Sequence, residues 1–484
     1  MALHSGALPR ICIIGAGSSG IAVCKVFKDQ GIPYDCYELS DRVGGMWAFK
    51  NPNGMSSAYR SLHINTSRRR MEYSDFPMPD DYPDFPSHFL IDRYFNDYVD
   101  HFELRDNISF NTGVQHCDRL DDGVWKITLS NGQVHHYDGL VVANGHHWDP
   151  KLPEPGFPGS FAGEEIHSHY YVDPTDPVDM KGKNVVVVGF GNSAMDIACE
   201  LGLKNNASNV YLSTRSGGFI FPKYWGSKPL DELWRHPSDK PSLFERFMRA
   251  THLMPLFDKL LLPFIAMKIK GLVGVPQDYG LPRPNHKFGD THPTISSEIH
   301  IRMGSGDVKP KPNITELKGD KVCFADGSEV AADVIIYATG YNIRFPFFED
   351  QLIKAENNDI ALYQRIVDPR FNNLFFIGLV QPLCAMMPIA EEQSKWVAAY
   401  LRGENHWPTA AAMDSERLRV HMETKEKFTH SARHTIEIDC PKYTYELWQN
   451  LKEGKKRAQQ NHFALPLMPQ AQKYAAAAKE GAAA

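Results

Sequence analysis

The sequence predicts an α/β protein with two Rossmann-like dinucleotide-binding domains, the second of which carries a helical insertion. Two glycine-rich turns, at residues 15–20 and 189–194, each lie between an apolar strand and an apolar helix. They are too far apart in the chain to belong to one strand–helix–strand unit, so each requires its own domain. A repeated pattern of hairpin and apolar strand gives independent support for two related folds.

The first unit has the spacing of a dinucleotide-binding fingerprint. A strand at residues 11–14 leads through the turn into a helix that extends to Phe27, and a second strand at 34–39 carries Glu38. The first glycine permits the tight turn, the second lets a pyrophosphate approach the backbone, and the third lets the helix pack on the strand. The helix N-terminus then binds the pyrophosphate, and the acid accepts ribose hydroxyls. The predicted binding residues are Gly15, Ala16, Gly17, Ser18, Ser19, Gly20 and Glu38.

The second unit differs in a way that favours a 2′-phosphate. It has a strand at 184–188, a helix that extends to Leu203 and a strand at 210–213, after which an arginine replaces the acid. An acid there would repel a 2′-phosphate, whereas an arginine with two hydroxyl neighbours would bind it. Two dinucleotide sites imply two cofactors. The simplest assignment is FAD in the first domain and NADPH in the second, with NADPH donating a hydride to FAD. The predicted NADPH-binding residues are Gly189, Gly191, Asn192, Ser193, Ala194, Ser213, Thr214 and Arg215.

Each domain also contains a hairpin that leads into an apolar strand, at residues 125–145 and again at 321–340. The turns are Asn-Gly and Asp-Gly, which suit the positive φ angles that such hairpins require. Each strand ends in a small residue, one further residue and a glycine, where the backbone can approach another molecule closely. Thr339 lies in the second of these steps and is counted among the cofactor-binding residues.

These units define the predicted domain organisation. The first part of the FAD domain is placed at residues 1–160, the NADPH domain at 161–330 and the second part of the FAD domain at 331–450, with a basic, alanine-rich tail at 451–484. Residues 151–177 are rich in proline and glycine and are predicted to form a linker. The insertion, at about 222–303, interrupts the α/β order with proline, phenylalanine and amphipathic stretches near 243–254 and 257–270.

The composition excludes several classes of function. The net charge of −6 gives no general field that would attract nucleic acid. Eight cysteines without a CxxC pair argue against a disulfide scaffold, a zinc ribbon and a dithiol redox centre, so we expect no metal and a reducing, cytoplasmic setting. The N-terminal residues lack a signal-peptide segment, so secretion is not expected. Residues 371–390 are uncharged, but their asparagines and prolines indicate a strand, a turn and a helix start rather than a transmembrane segment.

A further set of motifs carries a family resemblance. Phe161, Gly163, His167 and Tyr171 form the pattern FxGxxxHxxx(Y/F), and the stretches GGMWAF, LHINTS, YSDFPMPDDYP, GFGNSAMDIA, YATGYNIRFPF and FIGLVQPLCAMMPIAEEQ occur along the chain. On these motifs residues 9–402 resemble the flavin-containing monooxygenases, a class B flavoprotein family, in a soluble, bacterial-like form without the hydrophobic C-terminal anchor of the animal enzymes. The sequence departs from the family at His169, where an arginine is usual.

The resemblance implies an activity and further site residues. In the family, NADPH reduces FAD, O2 forms a C4a-hydroperoxyflavin, and a small lipophilic amine or sulfide takes up one oxygen atom. Asn65 is then the catalytic residue, which lies beside the flavin and nicotinamide and steadies the oxygen adduct, while the protein excludes water. The further cofactor contacts implied by the resemblance are Gly45, Met46, Trp47, His63, Thr66, Val114 and Gln381, besides Asn65 itself.

Other functions stay open at this point. Baeyer–Villiger oxygenation of ketones would use the same cofactors and usually an active-site arginine, for which Arg344 is a candidate. An uncoupled NADPH oxidase or reductase would need no stabilised oxygen adduct. A non-catalytic nucleotide-binding or membrane-surface protein would use residues 243–270 as its contact face, and the same apolar face would favour a homodimer.

Overall fold

The computed structural model describes residues 7–288, 293–427 and 435–474. The strands are β1 Ile11–Ile14, β2 Tyr34–Tyr37, β3 Ile108–Ser109, β4 Val114–Arg119, β5 Trp125–Leu129, β6 Val134–Tyr137, β7 Gly139–Val142, β8 Asp149–Pro150, β9 Gly159–Phe161, β10 Glu164–His167, β11 Asn184–Val188, β12 Asn209–Ser213, β13 Ile220–Phe221, β14 Tyr224–Trp225, β15 Lys228–Pro229, β16 Thr294–Ile295, β17 Val308–Lys311, β18 Ile314–Gly319, β19 Lys321–Phe324, β20 Glu329–Ala331, β21 Val334–Tyr337, β22 Tyr341–Asn342, β23 Leu374–Phe376, β24 Gln381–Pro382 and β25 Glu437–Ile438.

The α-helices are α1 Ser18–Asp29, α2 Arg68–Met71, α3 His88–His101, α4 Asn192–Leu201, α5 Leu243–Ala250, α6 Met254–Val273, α7 Ile299–Gly304, α8 Met386–Leu401, α9 Ala410–Lys427 and α10 Cys440–Gln460. Short 3₁₀ turns lie at Gly45–Trp47, Arg105–Asn107, Leu230–Leu233 and Pro276–Tyr279.

The first sheet has the order β23-β7-β1-β2-β3, and all of its strands are parallel. The side chains of β1 alternate between its two faces, as the period of a strand requires. Ile11 and Ile13 pack with α1, α3 and α8, whereas Cys12 and Ile14 pack with the β4-β5-β6 layer. Because both faces are covered, the strand is apolar throughout, which is why the sequence identified it.

The second sheet repeats this plan with the order β10-β21-β11-β12-β17, again all parallel. Val185 and Val187 pack towards α4, and Val186 and Val188 pack towards the β18-β19 hairpin. The prediction of an α/β protein with two Rossmann-like domains is therefore confirmed.

Three parts of the predicted organisation need correction. Residues 164–167, predicted to lie in a linker, form β10 at the edge of the second sheet, because an edge strand does not require an apolar sequence. The predicted boundary at residue 330 is too early, since β21 pairs with β11 inside the second sheet. The predicted tail also begins inside α10, which continues to Gln460; residues 475–484 lie outside the described part of the chain.

The insertion contains the two predicted helical stretches, which the structure places in α5 and α6. Their apolar side chains are largely exposed; Leu243 is 80% exposed and Leu260 is 71% exposed. At residues 371–390 the structure has β23, β24 and the start of α8, as predicted. Within the three described ranges, we find no helix with both the length and the apolar character needed to cross a membrane.

One covalent link was not predicted. Cys384, just after β24, forms a disulfide with Cys440, the first residue of α10. The other six cysteines are buried and free. The sequence prediction used the number and the local spacing of the cysteines. Neither reveals a single pair that the fold brings together across 56 residues.

Candidate active site

The first glycine turn has the geometry that a dinucleotide requires. Gly15 has φ +98°, and its N–H donates to the carbonyl of Tyr37 at 2.9 Å. A Cβ atom placed on Gly20 would lie 1.8 Å from the carbonyl oxygen of Gly15, so only glycine fits there. Helix α1 begins after Gly17 without a side-chain cap, which leaves its first N–H groups directed at the turn. Ser18 and Ser19 are the first residues of the helix. The glycine turn and the free N–H groups at this helix start fit a pyrophosphate.

Glu38 lies immediately after β2, one residue beyond the observed end of the strand. One carboxylate oxygen accepts the N–H of Ala16 and the other accepts the N–H of Ser40, both at 2.7 Å. Burial raises the pKa of Glu38, although these hydrogen bonds favour its charged form. The acid therefore borders the glycine turn, where a ribose hydroxyl of the cofactor would meet it.

Val114 lies on the same side of the turn. It is the first residue of β4 and comes two positions after Thr112, whose N–H donates to the carbonyl of Glu38 at 2.8 Å. Its half-buried side chain packs against the apolar cluster that includes Tyr37. The predicted cofactor contact of Val114 therefore lies on a strand that is connected to the loop after Glu38.

The segment Gly45–Trp47 lies against the first glycine turn. A Cβ atom on Gly45 would be 3.1 Å from the Cα of Gly17, and the N–H of Gly44 donates to the carbonyl of Ala16 at 3.2 Å. The carbonyl of Met46 accepts the hydroxyl of Ser56 at 2.7 Å, and Trp47 packs on the core beneath the first sheet. The two glycine motifs of the first domain are therefore adjacent.

Asn65 provides a direct test of whether the site fits a flavin. Its amide oxygen is buried and accepts a hydrogen bond from no residue that the structure describes. The preceding N–H, of Ile64, donates to the carbonyl of Pro86 at 3.0 Å, which fixes this loop. Thr66 is half-buried, and His63 is exposed with its Nδ1 2.7 Å from the carbonyl of Ser61. A buried acceptor without a donor matches the N–H group that a bound reduced flavin would present.

The second glycine turn repeats the geometry of the first. Gly189 has φ +145°, its N–H donates to the carbonyl of Ser213 at 2.9 Å, and a Cβ atom on it would lie 2.4 Å from the carbonyl oxygen of Ala338. Helix α4 begins after Gly191 without a side-chain cap, and Ala194 is fully buried under the turn. Asn192 and Ser193 form the helix start, and the Asn192 amide oxygen accepts the N–H of Ile295 at 2.9 Å. The insertion therefore contacts this turn directly.

The three residues after β12 are not equivalent. Ser213 is buried and donates its hydroxyl to the carbonyl of Pro312 at 2.8 Å, and Thr214 is buried and accepts the N–H of Gly217 at 3.3 Å. Arg215 is exposed, and it makes no ion pair within residues 7–288, 293–427 and 435–474. The two hydroxyls have partners inside the protein, so Arg215 is the group available to a phosphate.

Two further predicted residues lie at the ends of strands, Thr339 beyond the end of β21 and Gln381 at the start of β24. Thr339, after β21, donates its hydroxyl to the carbonyl of Lys151. The side-chain oxygen of Gln381 lies 3.4 Å from Nε2 of His146, and burial lowers the pKa of that histidine to about 4. His146 is therefore neutral at pH 7, and it donates to the Gln381 amide.

The FxGxxxHxxx(Y/F) residues connect the linker to the second domain. A Cβ atom on Gly163 would lie 2.3 Å from the carbonyl oxygen of Asp333, and Tyr171 donates its hydroxyl to Glu200 of α4 at 2.8 Å. His167 is buried, accepts the N–H of His169 at 3.1 Å through Nδ1, and has a pKa that burial lowers to about 4. The unusual His169 places its Nε2 2.9 Å from the carbonyl of Gly54, and so contacts the first domain.

Sequence reasoning missed a polar cluster between Asn65 and α4. Tyr59 donates its hydroxyl to Asp196 at 2.6 Å, and Lys223 donates to the carbonyl of Ile64 at 3.4 Å. Burial raises the pKa of Asp196 and lowers that of Lys223. These residues lie on three separate parts of the chain, and no local spacing in the sequence connects them.

The profile of flavin-binding monooxygenase-like proteins matches residues 9–457. Rat flavin-containing monooxygenase 5 is 36% identical over 453 residues, with 89% of this chain and 80% of that protein covered. Human flavin-containing monooxygenase 2 is 33% identical over 452 residues, with 90% and 82% covered.

Two solved structures show the same fold at lower identity. The S-allyl-L-cysteine S-oxygenase of Allium sativum has a TM-score of 0.65 and 20% identity, with 98% of each chain covered. A cyclohexanone monooxygenase has a TM-score of 0.67 and 19% identity, with 93% of this chain and 99% of that chain covered. The fold is therefore shared by enzymes whose names indicate different substrates.

Proposed function

The chain belongs to the flavin-binding monooxygenase-like family and is an FAD- and NADPH-dependent monooxygenase, and we propose that it transfers one oxygen atom of O2 to the nitrogen or sulfur of small lipophilic nucleophiles. The observation that carries this proposal is the buried amide oxygen of Asn65, in the loop that leads into α2, which has no hydrogen-bond partner among the residues that the structure describes. FAD supplies the oxygen chemistry once NADPH has reduced it.

The roles of the chain's own residues follow from the geometry. The turns at Gly15 and Gly189 would hold the two pyrophosphates on helix N-termini, Glu38 would accept the flavin-nucleotide ribose, and Arg215 would bind the 2′-phosphate of NADPH. Asn65 would accept the N–H of the reduced flavin in a site from which water is excluded. No side chain would need to act as a nucleophile or a strong general base, because FAD would supply the activated oxygen.

Ketone oxygenation has weaker support from the structure. Arg344, the arginine that this reaction would use, is 64% exposed in its side chain and forms an ion pair with Asp149 at 3.0 Å. Its guanidinium is therefore already engaged at the surface. The solved structures of similar fold do not separate the two reactions, because one is named an S-oxygenase and another a cyclohexanone monooxygenase.

The test is a comparison of substrates on one preparation of the holoenzyme. Methyl phenyl sulfide, N,N-dimethylaniline and cyclohexanone would be assayed side by side, with NADPH consumed, peroxide released and product formed all measured. We expect the sulfoxide or the N-oxide to account for most of the NADPH. Lactone as the main product would instead establish ketone oxygenation, and peroxide as the main product with every substrate would establish an uncoupled oxidase.

The same assay with Asn65→Ala tests the residue that carries the proposal. We expect NADPH oxidation to continue while peroxide replaces most of the product, since the variant lacks the acceptor but keeps both glycine turns. Asn65→Asp keeps an acceptor oxygen and is the matched variant, which should retain more product. If the share of NADPH that yields oxygenated product were the same in Asn65→Ala and the wild type, Asn65 would not have its proposed role.

We also propose a homodimer that buries the exposed apolar face of α5 and α6, because an apolar surface of this kind is rarely left in water. Light scattering on the wild type and on Leu260→Lys would test it, and sedimentation with lipid vesicles would instead support a membrane-surface role.

A cytoplasmic setting remains a further proposal. The disulfide Cys384–Cys440 argues against it, since reducing compartments rarely retain such bonds.

A further inference from the structure

Lys223 connects the insertion to the loop that carries Asn65. It lies between β13 and β14, and its backbone N–H donates to the hydroxyl of Ser297 at 3.0 Å. Its ammonium group donates to the carbonyl of Ile64 at 3.4 Å and lies 4.9 Å from the ring centre of Phe85. A residue of the second domain therefore holds a backbone carbonyl of the first domain, one position before Asn65.

Two carboxylates of the second domain face the ammonium group. Asp196 on α4 and Glu298, just before α7, both favour the charged form of Lys223, while burial opposes it and lowers its pKa. Asp196 is itself held by the hydroxyl of Tyr59 at 2.6 Å. The ammonium group is thus attracted by two acids and bonded to a backbone carbonyl, and these interactions together restrict its position.

The consequence for Asn65 follows from the planarity of the peptide bond. The carbonyl of Ile64 and the N–H of Asn65 belong to one rigid unit, so a bond to that carbonyl orients the backbone that leads into Asn65. The N–H of Ile64 is already bonded to Pro86 at 3.0 Å. Ile64 is therefore fixed through both of its backbone polar groups, and its side chain is buried.

We propose that Lys223 is a positioning residue that fixes the Ile64–Asn65 peptide and so directs the Asn65 amide towards the bound flavin. The inference rests on the proposed role of Asn65. It adds that this role depends on the insertion, because the residue that fixes the peptide lies at the insertion's beginning. Displacement of the insertion would then release Asn65 and increase the share of NADPH that ends in peroxide.

Three variants test the proposal on the full chain. Lys223→Met keeps an apolar stem of similar length without the charge, Lys223→Arg restores a charged donor, and Lys228→Met removes a lysine from the exposed part of the same hairpin. Hydrogen exchange of the peptides that cover residues 60–66 would be followed by mass spectrometry, together with peroxide released per NADPH. The first readout does not require an active enzyme.

In Lys223→Met we expect exchange in residues 60–66 to accelerate about tenfold, with other segments unchanged. Peroxide per NADPH should rise several-fold, while the Kd values for FAD and NADPH stay close to those of the wild type. Lys223→Arg should restore most of both properties, and Lys228→Met should match the wild type. If Lys223→Met does not fold, Lys223→Gln, with a shorter donor, should give intermediate exchange and coupling.

Wild-type exchange at residues 60–66 in Lys223→Met would overturn the proposal, and so would faster exchange spread over the whole chain. Faster local exchange with unchanged coupling would overturn the link to Asn65. The failure of the proposed function would look different, because the wild type itself would then form no oxygenated product.

Discussion

A Cβ atom placed on Gly378 would lie 2.1 Å from the hydroxyl oxygen of Ser19, so the turn after β23 leaves no room for a side chain beside the start of α1. Gly378 has φ +77°, and its N–H donates to the side-chain oxygen of Gln393 at 2.9 Å. Residues that follow β23, the strand of the first sheet that comes latest in the chain, thus pack directly against the first glycine turn.

This contact predicts that Gly378→Ala weakens FAD retention as well as stability. The positive φ costs an alanine about 1–2 kcal/mol, and the overlap with Ser19 must in addition displace the start of α1. Gly132→Ala is the control, because Gly132 also has a positive φ, +83°, but has no atom within 4 Å of the added Cβ. FAD per chain after gel filtration and the free energy of unfolding in urea would be measured. Equal losses in the two variants would mean that the overlap has no effect.

Arg215 should determine the preference for NADPH over NADH. A charge-assisted bond to a phosphate contributes about 1.5–3 kcal/mol, so Arg215→Gln should raise the KM for NADPH about 10- to 100-fold and leave the KM for NADH nearly unchanged. Lys204→Gln, which removes an exposed cation of the same domain, should change neither value. A parallel rise in both KM values for Arg215→Gln would show that the guanidinium does not recognise the 2′-phosphate.

The sequence predicted the central strands well because their signal is local. β1 and β11 have their predicted bounds, β12 begins one residue earlier than predicted, and β2 ends two residues earlier. A strand that is buried on both faces must be apolar along its length, and a glycine turn marks where it ends. The first glycine turn and its Glu38 were predictable for the same reason.

Features that depend on distant parts of the chain could not be predicted in this way. β10 contains two glutamates and is a strand only because β21 offers it an edge to pair with. The contacts of Asp196 with Tyr59 and of Lys223 with Ile64 join segments more than a hundred residues apart. Such pairs follow from the way the two domains dock, for which a single sequence gives no local signal.

His167 should make the stability of the apoprotein depend on pH. Its pKa in the folded protein is about 4, below the ordinary value of 6.5, so the unfolded chain takes up the proton first as the pH falls. The contribution of His167 is therefore complete above pH 6.5 and is lost as the pH falls towards 4, with an upper limit of about 3 kcal/mol.

The measurement is the free energy of unfolding at pH 7 and at pH 4.5. His167→Asn keeps an acceptor for the N–H of His169 but cannot be protonated, so it should lose less stability than the wild type on acidification. His146, whose pKa is also lowered to about 4, should preserve part of the dependence. His101→Asn, at an exposed position on α3, should behave like the wild type. An unchanged pH dependence in His167→Asn would contradict the assignment.

The disulfide Cys384–Cys440 should stabilise the segment that carries Gln381. The N–H of Gln381 donates to the carbonyl of Ile436 at 2.8 Å, and within the described residues the pairing of β24 with β25 is short, at residues 381–382 and 437–438. The bond closes a loop across a separation of 56 residues, which in the chain-entropy account contributes about 4 kcal/mol. Cys384→Ser should therefore lower the free energy of unfolding by up to that amount.

The control for this prediction is internal. Cys384→Ser, Cys440→Ser and the double variant should be equally destabilised, and reductant should destabilise the wild type without affecting any of the three. The denatured, unreduced wild type should present six reactive thiols, since the structure leaves six cysteines free. Eight reactive thiols in protein prepared without reductant would show that the bond does not form, and β24 would then be held to β25 by its backbone hydrogen bonds alone.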